Sequence, residues 1–216
     1  MIEIKGLSLS FTKEYYALYN INLHINENDR VALFGDSESG KTTLLRAIAG
    51  LEHYHMGEVF LKGINLKKID FSKDISLGYI SHKPVFFNNK TVFDNLMYVL
   101  KIRHIDEINA KIKINEALKH YQIETLANIK IKALSHFQQI LVQFARISLR
   151  KIELYLIDNI FENLTKKEEE ILVNYALELQ KEPSTFLVAT NKVDLAKTLT
   201  SNSIKLKFGS IVEEDK

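Results

Sequence analysis

The sequence contains no cysteine and only two prolines, Pro84 and Pro183. Without cysteine the protein forms no disulfide bond and has no thiol for catalysis or metal binding. Because no Gly/Ser-rich linker or internal repeat interrupts the chain either, we predict a single domain over residues 1–216. The sequence also lacks an apolar run of the roughly 18 to 20 residues that a membrane-spanning helix needs. Its first five residues alternate like a strand and do not resemble a secretion signal.

A strong excess of charge of one sign is also missing. The 29 lysines and arginines nearly balance the 27 aspartates and glutamates, so the net charge is only +2. So small a net charge does not by itself argue for a nucleic-acid partner or a membrane surface, and we expect no nucleic-acid partner. With 46% hydrophobic and 26% charged residues, the composition is that of a globular domain. We therefore expect a cytoplasmic protein, and any work at a membrane requires another subunit to span it.

The most informative segment present is a phosphate-binding loop. Residues 35–42 read Gly-x-x-x-x-Gly-Lys-Thr, directly after the apolar run 30–34 and before a segment with helical spacing of leucines. In such a loop the backbone N–H groups and the start of the helix hold phosphates, the lysine reaches the β- and γ-phosphates, and the threonine hydroxyl coordinates Mg²⁺. A surface Gly-Ser turn that matches by chance is the alternative, and the strand and helix on either side argue against it. The candidate nucleotide-binding residues are Gly35, Asp36, Ser37, Glu38, Ser39, Gly40, Lys41, Thr42 and Thr43.

Glu38 is unusual within this loop. A carboxylate beside phosphates costs electrostatic energy unless it points outward or meets a cation. Because α subunits of heterotrimeric G proteins also carry glutamate at this place and bind nucleotide, we keep Glu38 within the predicted site.

Asp158 is the second candidate for nucleotide chemistry. It ends an apolar segment, Leu154 to Ile157, that is typical of a buried strand. An aspartate at such a strand end, beside a phosphate-binding loop, commonly holds Mg²⁺. A role as a cap for the following turn is the alternative. We predict a metal site formed by Thr42 and Asp158.

Hydrophobic periodicity predicts an α/β fold in which an antiparallel sheet precedes a buried parallel sheet. A helix-rich insert of about residues 85–150 lies between the phosphate-binding loop and the Asp158 strand. The predicted strands are 2–5, 18–25, 30–34, 57–62, 76–80, 153–157, 184–189 and 203–208, and the predicted helices are 41–50, 92–102, 106–120, 135–149, 165–180 and 192–199.

The order of these segments resembles the nucleotide-binding domain of ATP-binding cassette (ABC) transporters over essentially the whole chain. The resemblance is carried by Val31 to Leu51, Thr91 to Leu96, Leu134 to Arg146 and Leu154 to Asp158. It implies a P-loop NTPase of the ABC type with an antiparallel β subdomain and a small helical subdomain at about 85–150. It also implies head-to-tail pairing, in which each ATP lies between the loop of one domain and the signature motif of the other.

Several positions near the reaction centre depart from the family pattern. The family has a glutamate that polarises water where this chain has Asn159, and a switch histidine where it has Asn191. His82 stands at the place of a glutamine, where it can still contact water or Mg²⁺, and Glu162 to Thr165 replaces a segment that ends in aspartate. Loss of a general base typically costs about 10² to 10⁴ in rate. We therefore assign no catalytic residue and predict weak or absent intrinsic hydrolysis.

The signature motif is altered as well. The family sequence Leu-Ser-Gly-Gly-Gln is Leu134-Ser135-His136-Phe137-Gln138 here. Ser135 can cap the following helix and contact the nucleotide of a partner domain. Phe137 continues an apolar stripe, so it either packs in the core or narrows the approach to that nucleotide.

Aromatic residues suggest two further contacts. In the family an aromatic ring stacks on adenine, and Phe11 aligns best with it, with Tyr15 and Tyr16 as alternatives and core packing of Phe11 as another. The residues 84–87 and Tyr98 either line a groove for a helix of a membrane subunit or are simply buried.

Together these features predict the ATP-binding subunit of a multi-subunit ABC transporter that binds Mg·ATP. Its expected partners are a separate transmembrane permease and a second ABC ATPase domain, in a homodimer or heterodimer. The protein would lie on the inner face of the cell membrane. Two alternatives remain open: an active ATPase with a non-standard base such as His82, and a nucleotide-gated regulatory module without a transport role.

Overall fold

A computed structural model describes residues 1–12 and 15–212. Its centre is a six-stranded sheet in the order β10-β9-β3-β8-β7-β6. Neighbouring strands from β9 through β6 are parallel, and β10 pairs with β9 in the antiparallel sense. These strands are β3 Arg30–Phe34, β6 Leu77–Ser81, β7 Leu154–Asp158, β8 Thr185–Thr190, β9 Asn202–Lys207 and β10 Ser210–Val212.

A second, antiparallel sheet of four strands has the order β2-β1-β4-β5. Its strands are β1 Ile2–Ser10, β2 Tyr16–Ile25, β4 Met56–Leu61 and β5 Ile64–Asn65. The prediction ended β1 at residue 5, and the strand continues to Ser10. The alternation of apolar residues is interrupted there by an irregularity in pairing between Ile4 and Leu7, after which Leu7 and Leu9 are buried again.

Within residues 1–12 and 15–212, six α-helices connect the strands. They are α1 Lys41–Ile48, α2 Val92–Ile102, α3 Glu107–His120, α4 His136–Ser148, α5 Lys166–Leu179 and α6 Val193–Leu199. Helices α2, α4 and α5 begin with reciprocal capping boxes at Thr91, Ser135 and Thr165. These caps satisfy the N–H groups of the first turn and fix where each helix starts.

The alternating sides of β7 and β8 pack into two different cores. Leu154, Leu156 and Leu187 join α1 and the antiparallel sheet. Tyr155, Ile157 and Phe186 join helices α2 to α5 instead. Both faces of the parallel sheet are covered, so every residue of its central strands β7 and β8 is buried, and all but Asp158, Thr185 and Thr190 are apolar. In the described part of the chain, no helix combines the length and apolarity needed to span a membrane.

Candidate nucleotide-binding site

The predicted site residues gather at one edge of the parallel sheet. Phe34, at the end of β3, pairs with Thr190 of β8, and Asp158, at the end of β7, pairs with Ala189 of β8 and Ser81 of β6. Ligands of open α/β sheets bind outside the carboxyl ends of the strands. The parallel register therefore places the loop after β3 near Asp158, as the predicted metal site of Thr42 and Asp158 requires.

Two glycines give the phosphate-binding loop its shape. A Cβ at Gly35 would lie 2.2 Å from the carbonyl oxygen of Leu206, so no side chain fits there. Gly40 has φ 101°, and a Cβ there would lie 2.9 Å from the carbonyl oxygen of Ala17. Gly40 also precedes α1 without any side-chain cap. The N–H groups at the start of α1 are therefore available to an anion, which the helix dipole favours.

The Lys41 ammonium group lies against the loop. Its Nζ donates to the carbonyl oxygens of Gly35 at 2.8 Å and Asp36 at 2.7 Å and to Ser39 Oγ at 3.2 Å. Burial lowers the pKa of Lys41, whereas the carboxylates of Glu162, Asp158 and Asp36 raise it. The lysine thus concentrates positive charge inside the loop and holds the backbone of the loop in a tight turn.

Thr42 and Asp158 are in direct contact. The Thr42 hydroxyl donates to Asp158 Oδ1 at 2.8 Å, and the Tyr79 hydroxyl donates to Asp158 Oδ2 at 2.8 Å. Asp158 is buried, so these two donors satisfy a carboxylate that would otherwise lose its hydration. Burial and the charge of Asp158 raise the pKa of Tyr79, which keeps its hydroxyl protonated as a donor.

Asn159 lies beside this pair with its backbone at φ 50°. Its Nδ2 is 3.4 Å from Asp158 Oδ1 and 3.5 Å from Thr42 Oγ1. Its Oδ1 is buried and has no hydrogen-bond partner among the described residues. The amide therefore faces the two oxygens predicted to bind metal, and it has no basic atom that could accept a proton from water near pH 7.

His82 does not reach Thr42 or Asp158 with its side chain. Its backbone N–H donates to the Asp158 carbonyl oxygen at 2.9 Å, whereas its ring packs edge-on against His136 at 4.5 Å between centroids. Both imidazoles bury a ring nitrogen that has no partner in the described part of the chain, Nδ1 of His82 and Nε2 of His136. The ring of His82 thus contacts the altered signature segment at His136.

The remaining predicted positions lie further out. Asn191 is exposed after the end of β8 and does not line the nucleotide cavity. Ser135 is exposed at the start of α4, where its Oγ accepts from the N–H of Gln138 at 3.2 Å. Phe137 is half-buried against the helical core, which agrees with the packing interpretation.

A cavity of about 460 Å³ adjoins the loop. Phe11 and Tyr15 line it, and their exposed fractions of 64% and 54% show that neither is a core residue. The interpretation of Phe11 as core is therefore wrong. Tyr16 does not line the cavity and packs edge-on against Tyr19. The cavity is lined by Phe11, Tyr15, Ala17, Ser37 to Thr43, Asn159 and Glu162.

These residues fit a nucleoside triphosphate with Mg²⁺. The uncapped start of α1, Lys41 and the glycine turn suit phosphates, and a flat exposed ring at the far side suits a base. Among the described residues there is no cluster of three or more histidine, aspartate or glutamate side chains that could hold a metal by itself. Mg²⁺ commonly binds through one or two protein oxygens together with waters and phosphates, which matches Thr42 and Asp158.

A larger groove of about 690 Å³ is lined in part by Leu77 and Tyr79 of β6. Val85, Phe87 and Tyr98 line it with exposed fractions of 82%, 51% and 50%, so the alternative that they are buried is wrong. Three arginines and no carboxylate contribute to its described lining, namely Arg103, Arg146 and Arg150. Burial, with Arg150 nearby, lowers the pKa of Arg146 to about 10, which leaves it charged at neutral pH.

Two contacts at the site were not anticipated from the sequence. Tyr79 holds Asp158, and Gln143 of α4 holds Ser81 by accepting from its N–H at 3.0 Å and donating to its carbonyl oxygen at 2.8 Å. A glutamine within an apolar helical stripe was the available signal for the second contact. For Tyr79 the only signal was a tyrosine in a buried strand, which does not identify its partner.

Comparison with known proteins gives a consistent result. Residues 18–162 match the sequence family described as ABC transporter. The probable sulfate/thiosulfate import ATP-binding protein CysA of Chlorella vulgaris is 31% identical over 213 residues, which cover 98% of this chain and 89% of that protein. The spermidine/putrescine import ATP-binding protein PotA of Mannheimia succiniciproducens is 29% identical over 223 residues. That match covers 99% of this chain and 57% of PotA, so the chain spans little more than half of that relative.

Among solved structures, the ATP-binding cassette MJ0796 has a similar fold. Its dimeric structure in a post-hydrolysis state bound to ADP and Pi matches with a TM-score of 0.89 and 26% identity, covering 100% of this chain and 98% of that chain. This likeness confirms the predicted fold class, a mixed α/β ATPase core with an antiparallel sheet and helical elements.

Proposed function

Because this chain belongs to the ABC transporter family, we propose that it is the ATP-binding subunit of a multi-subunit transporter, with weak or absent hydrolysis of its own. One observation carries this proposal: Lys41, Thr42 and Asp158 are assembled for phosphate and metal binding, while the adjacent position is the amide of Asn159. The site thus keeps the groups that bind Mg·ATP and lacks the group that activates water.

The binding role is divided among the residues of the cavity. Lys41 and the N–H groups at the start of α1 hold phosphates, Thr42 and Asp158 hold Mg²⁺, and Phe11 or Tyr15 covers the adenine ring. Bound Mg²⁺ neutralises phosphate charge and thereby strengthens binding. Glu38 is exposed, so its carboxylate can turn toward solvent.

The partners follow from the family and from the groove. We propose that residues 1–216 form one nucleotide-binding domain with a helical subdomain at about 85–150, which pairs with a second ABC ATPase domain. In that pair Ser135 contacts the nucleotide of the opposite domain. The exposed apolar groove with its three arginines suits a helix of a separate permease that carries apolar side chains and a carboxylate. The protein then works in the cytoplasm on the inner face of the cell membrane, and the names of CysA and PotA favour import.

Calorimetry with Mg·ATP, combined with phosphate release, tests this function. We expect saturable binding by the wild-type chain, loss of binding in Lys41→Ala, and phosphate release no faster than in that variant. If the wild-type chain does not bind Mg·ATP, the proposal is wrong.

Rapid phosphate release that depends on Lys41 would support the active-ATPase alternative instead. His82→Ala then identifies the base: loss of turnover with unchanged Mg·ATP affinity would assign the role to His82. Binding without any membrane partner in co-purification would favour the nucleotide-gated regulatory module.

A further inference from the structure

Tyr79 contacts the carboxylate that the nucleotide site needs for metal binding. It is the central residue of β6, where it pairs with Leu156 of the neighbouring strand β7. This position brings its hydroxyl to 2.8 Å from Asp158 Oδ2. The Thr42 hydroxyl lies at the same distance, 2.8 Å, from the other carboxylate oxygen. Each oxygen of Asp158 therefore has its own donor.

The two donors lie in different environments. Thr42 lines the nucleotide cavity. Its hydrogen-bond partner, Oδ1 of Asp158, is therefore the carboxylate oxygen close to a ligand bound in that cavity. Tyr79 lines the apolar groove, together with Leu51, Phe86 and Tyr98. A tyrosine in this position can hold Oδ2 while Oδ1 changes its partner from a hydroxyl to a metal or its water.

We propose that Tyr79 is a positioning residue that fixes Asp158 for Mg²⁺ and links the groove to the nucleotide site through one side chain. The inference rests on the proposed function, since it needs Mg·ATP to bind at this site. A ligand oxygen that is free to rotate binds a cation less well than one held by a hydrogen bond, and removal of such outer partners typically lowers metal affinity by about 10- to 100-fold. The groove is linked to the nucleotide site because the Tyr79 ring, which carries this hydroxyl, forms part of the wall of the groove.

Tyr79→Phe tests the proposal because it keeps the ring and removes only the hydroxyl. We expect the Mg²⁺ concentration that supports half-maximal ATP binding to rise by about tenfold. Affinity for ATP in the presence of EDTA should stay within about twofold of the wild type, because phosphate contacts made by Lys41 are untouched. Tyr98→Phe is the matched control, since it removes a tyrosine hydroxyl from the same groove, and we expect wild-type values for both quantities.

A purely structural role for the hydroxyl would lower both affinities together or neither, and either result overturns the proposal. If Tyr79→Phe does not fold, NMR of the wild-type chain with ¹³Cζ-labelled tyrosine provides a second test. Addition of Mg²⁺ to the ATP complex should shift the Tyr79 resonance and leave that of Tyr175, which lines neither cavity, in place, and an unchanged Tyr79 resonance would refute the link. If the wild type binds no ATP at all, the proposed function fails first and this inference with it, which distinguishes the two failures.

Discussion

At the residue scale, the site depends on a position that has no room for a side chain as much as on the side chains that are present. Gly35 approaches the backbone of β9 so closely that only hydrogen fits between them. Lys41 then folds over the turn that this close approach creates and uses its N–H donors on loop oxygens. The motif predicts both residues. It does not predict that Leu206 lies next to Gly35, and this contact is the reason why Gly35 cannot be replaced.

Gly35→Ala should therefore destabilise the protein through a steric clash. A methyl group would lie 2.2 Å from the Leu206 carbonyl oxygen, and the backbone must move to avoid it. We expect a decrease in the free energy of unfolding of at least about 2 kcal/mol, measured from the urea midpoint at unchanged slope.

Gly63→Ala provides the control for that measurement. Gly63 also has positive φ, 78°, but a Cβ there would have no neighbour within 4 Å. We expect Gly63→Ala to lower the free energy of unfolding by only about 1 kcal/mol, which is the cost of backbone strain at positive φ. Equal effects of the two substitutions would show that the close approach to Leu206 is unimportant.

At the element scale, α4 and the end of β6 are joined by two contacts. Gln143 pairs with both backbone polar groups of Ser81, and His136 at the start of α4 packs on His82 in the following loop. The first contact fixes the strand end that pairs with Asp158. The second involves two positions at which this chain departs from the family pattern, so the pair of substitutions forms one contact.

Gln143→Leu should test the first contact. The substitution keeps the apolar body of the side chain and leaves the N–H and carbonyl of Ser81 without partners in a part-buried place. We expect a loss of about 2 kcal/mol in the free energy of unfolding by urea titration. Gln139→Leu is the matched control on the same helix, because Gln139 donates a single bond to the Leu134 carbonyl oxygen. An effect as large as that of Gln143→Leu would contradict the special role of the bidentate contact.

His136 should make stability depend on pH. Burial lowers its pKa, neighbouring His82 lowers it further, and Glu168 at the start of α5 acts in the opposite direction. The unfolded chain therefore takes up the proton first when pH falls below about 6.5. We expect the urea midpoint to decrease from pH 8 to pH 5.5, and to decrease less in His136→Gln. His104→Gln changes an exposed histidine and is the control; a wild-type pH dependence in His136→Gln would refute the assignment.

The predictability of the elements follows their length. The helix bounds are predicted to within about two residues because each helix shows at least about two turns of apolar periodicity, and the prediction for α2 matches at both ends, Val92 and Ile102. The short strands β5 and β10 were missed since two or three residues show no period. Motif spacing predicted that Thr42 and Asp158 meet, whereas the contact of His82 with His136 depends on how a loop packs on a distant helix.

At the scale of the whole molecule, β6 carries a side chain that contacts both the groove and the nucleotide site. The phosphate-binding loop and the start of α1 line the nucleotide cavity, whereas Leu77 and Tyr79 of β6, together with residues of α2 and α4, line the groove. Tyr79 is the side chain that lines the groove and also bonds to Asp158. A rearrangement of the Asp158 carboxylate on nucleotide binding should therefore change the environment of the side chains in the groove.

A tryptophan reporter can detect this effect, because the chain contains no tryptophan. Tyr98→Trp places the fluorophore in the groove at a half-exposed position, beside Phe87. We expect its emission to change on addition of Mg·ATP, and the change to shrink in the background of Tyr79→Phe at saturating Mg·ATP. Ile108→Trp, an exposed position on α3 outside the groove, should respond to neither. An equal response with and without the Tyr79 hydroxyl would mean that the groove senses the nucleotide through packing alone, since the ring remains and only its bond to Asp158 has been removed.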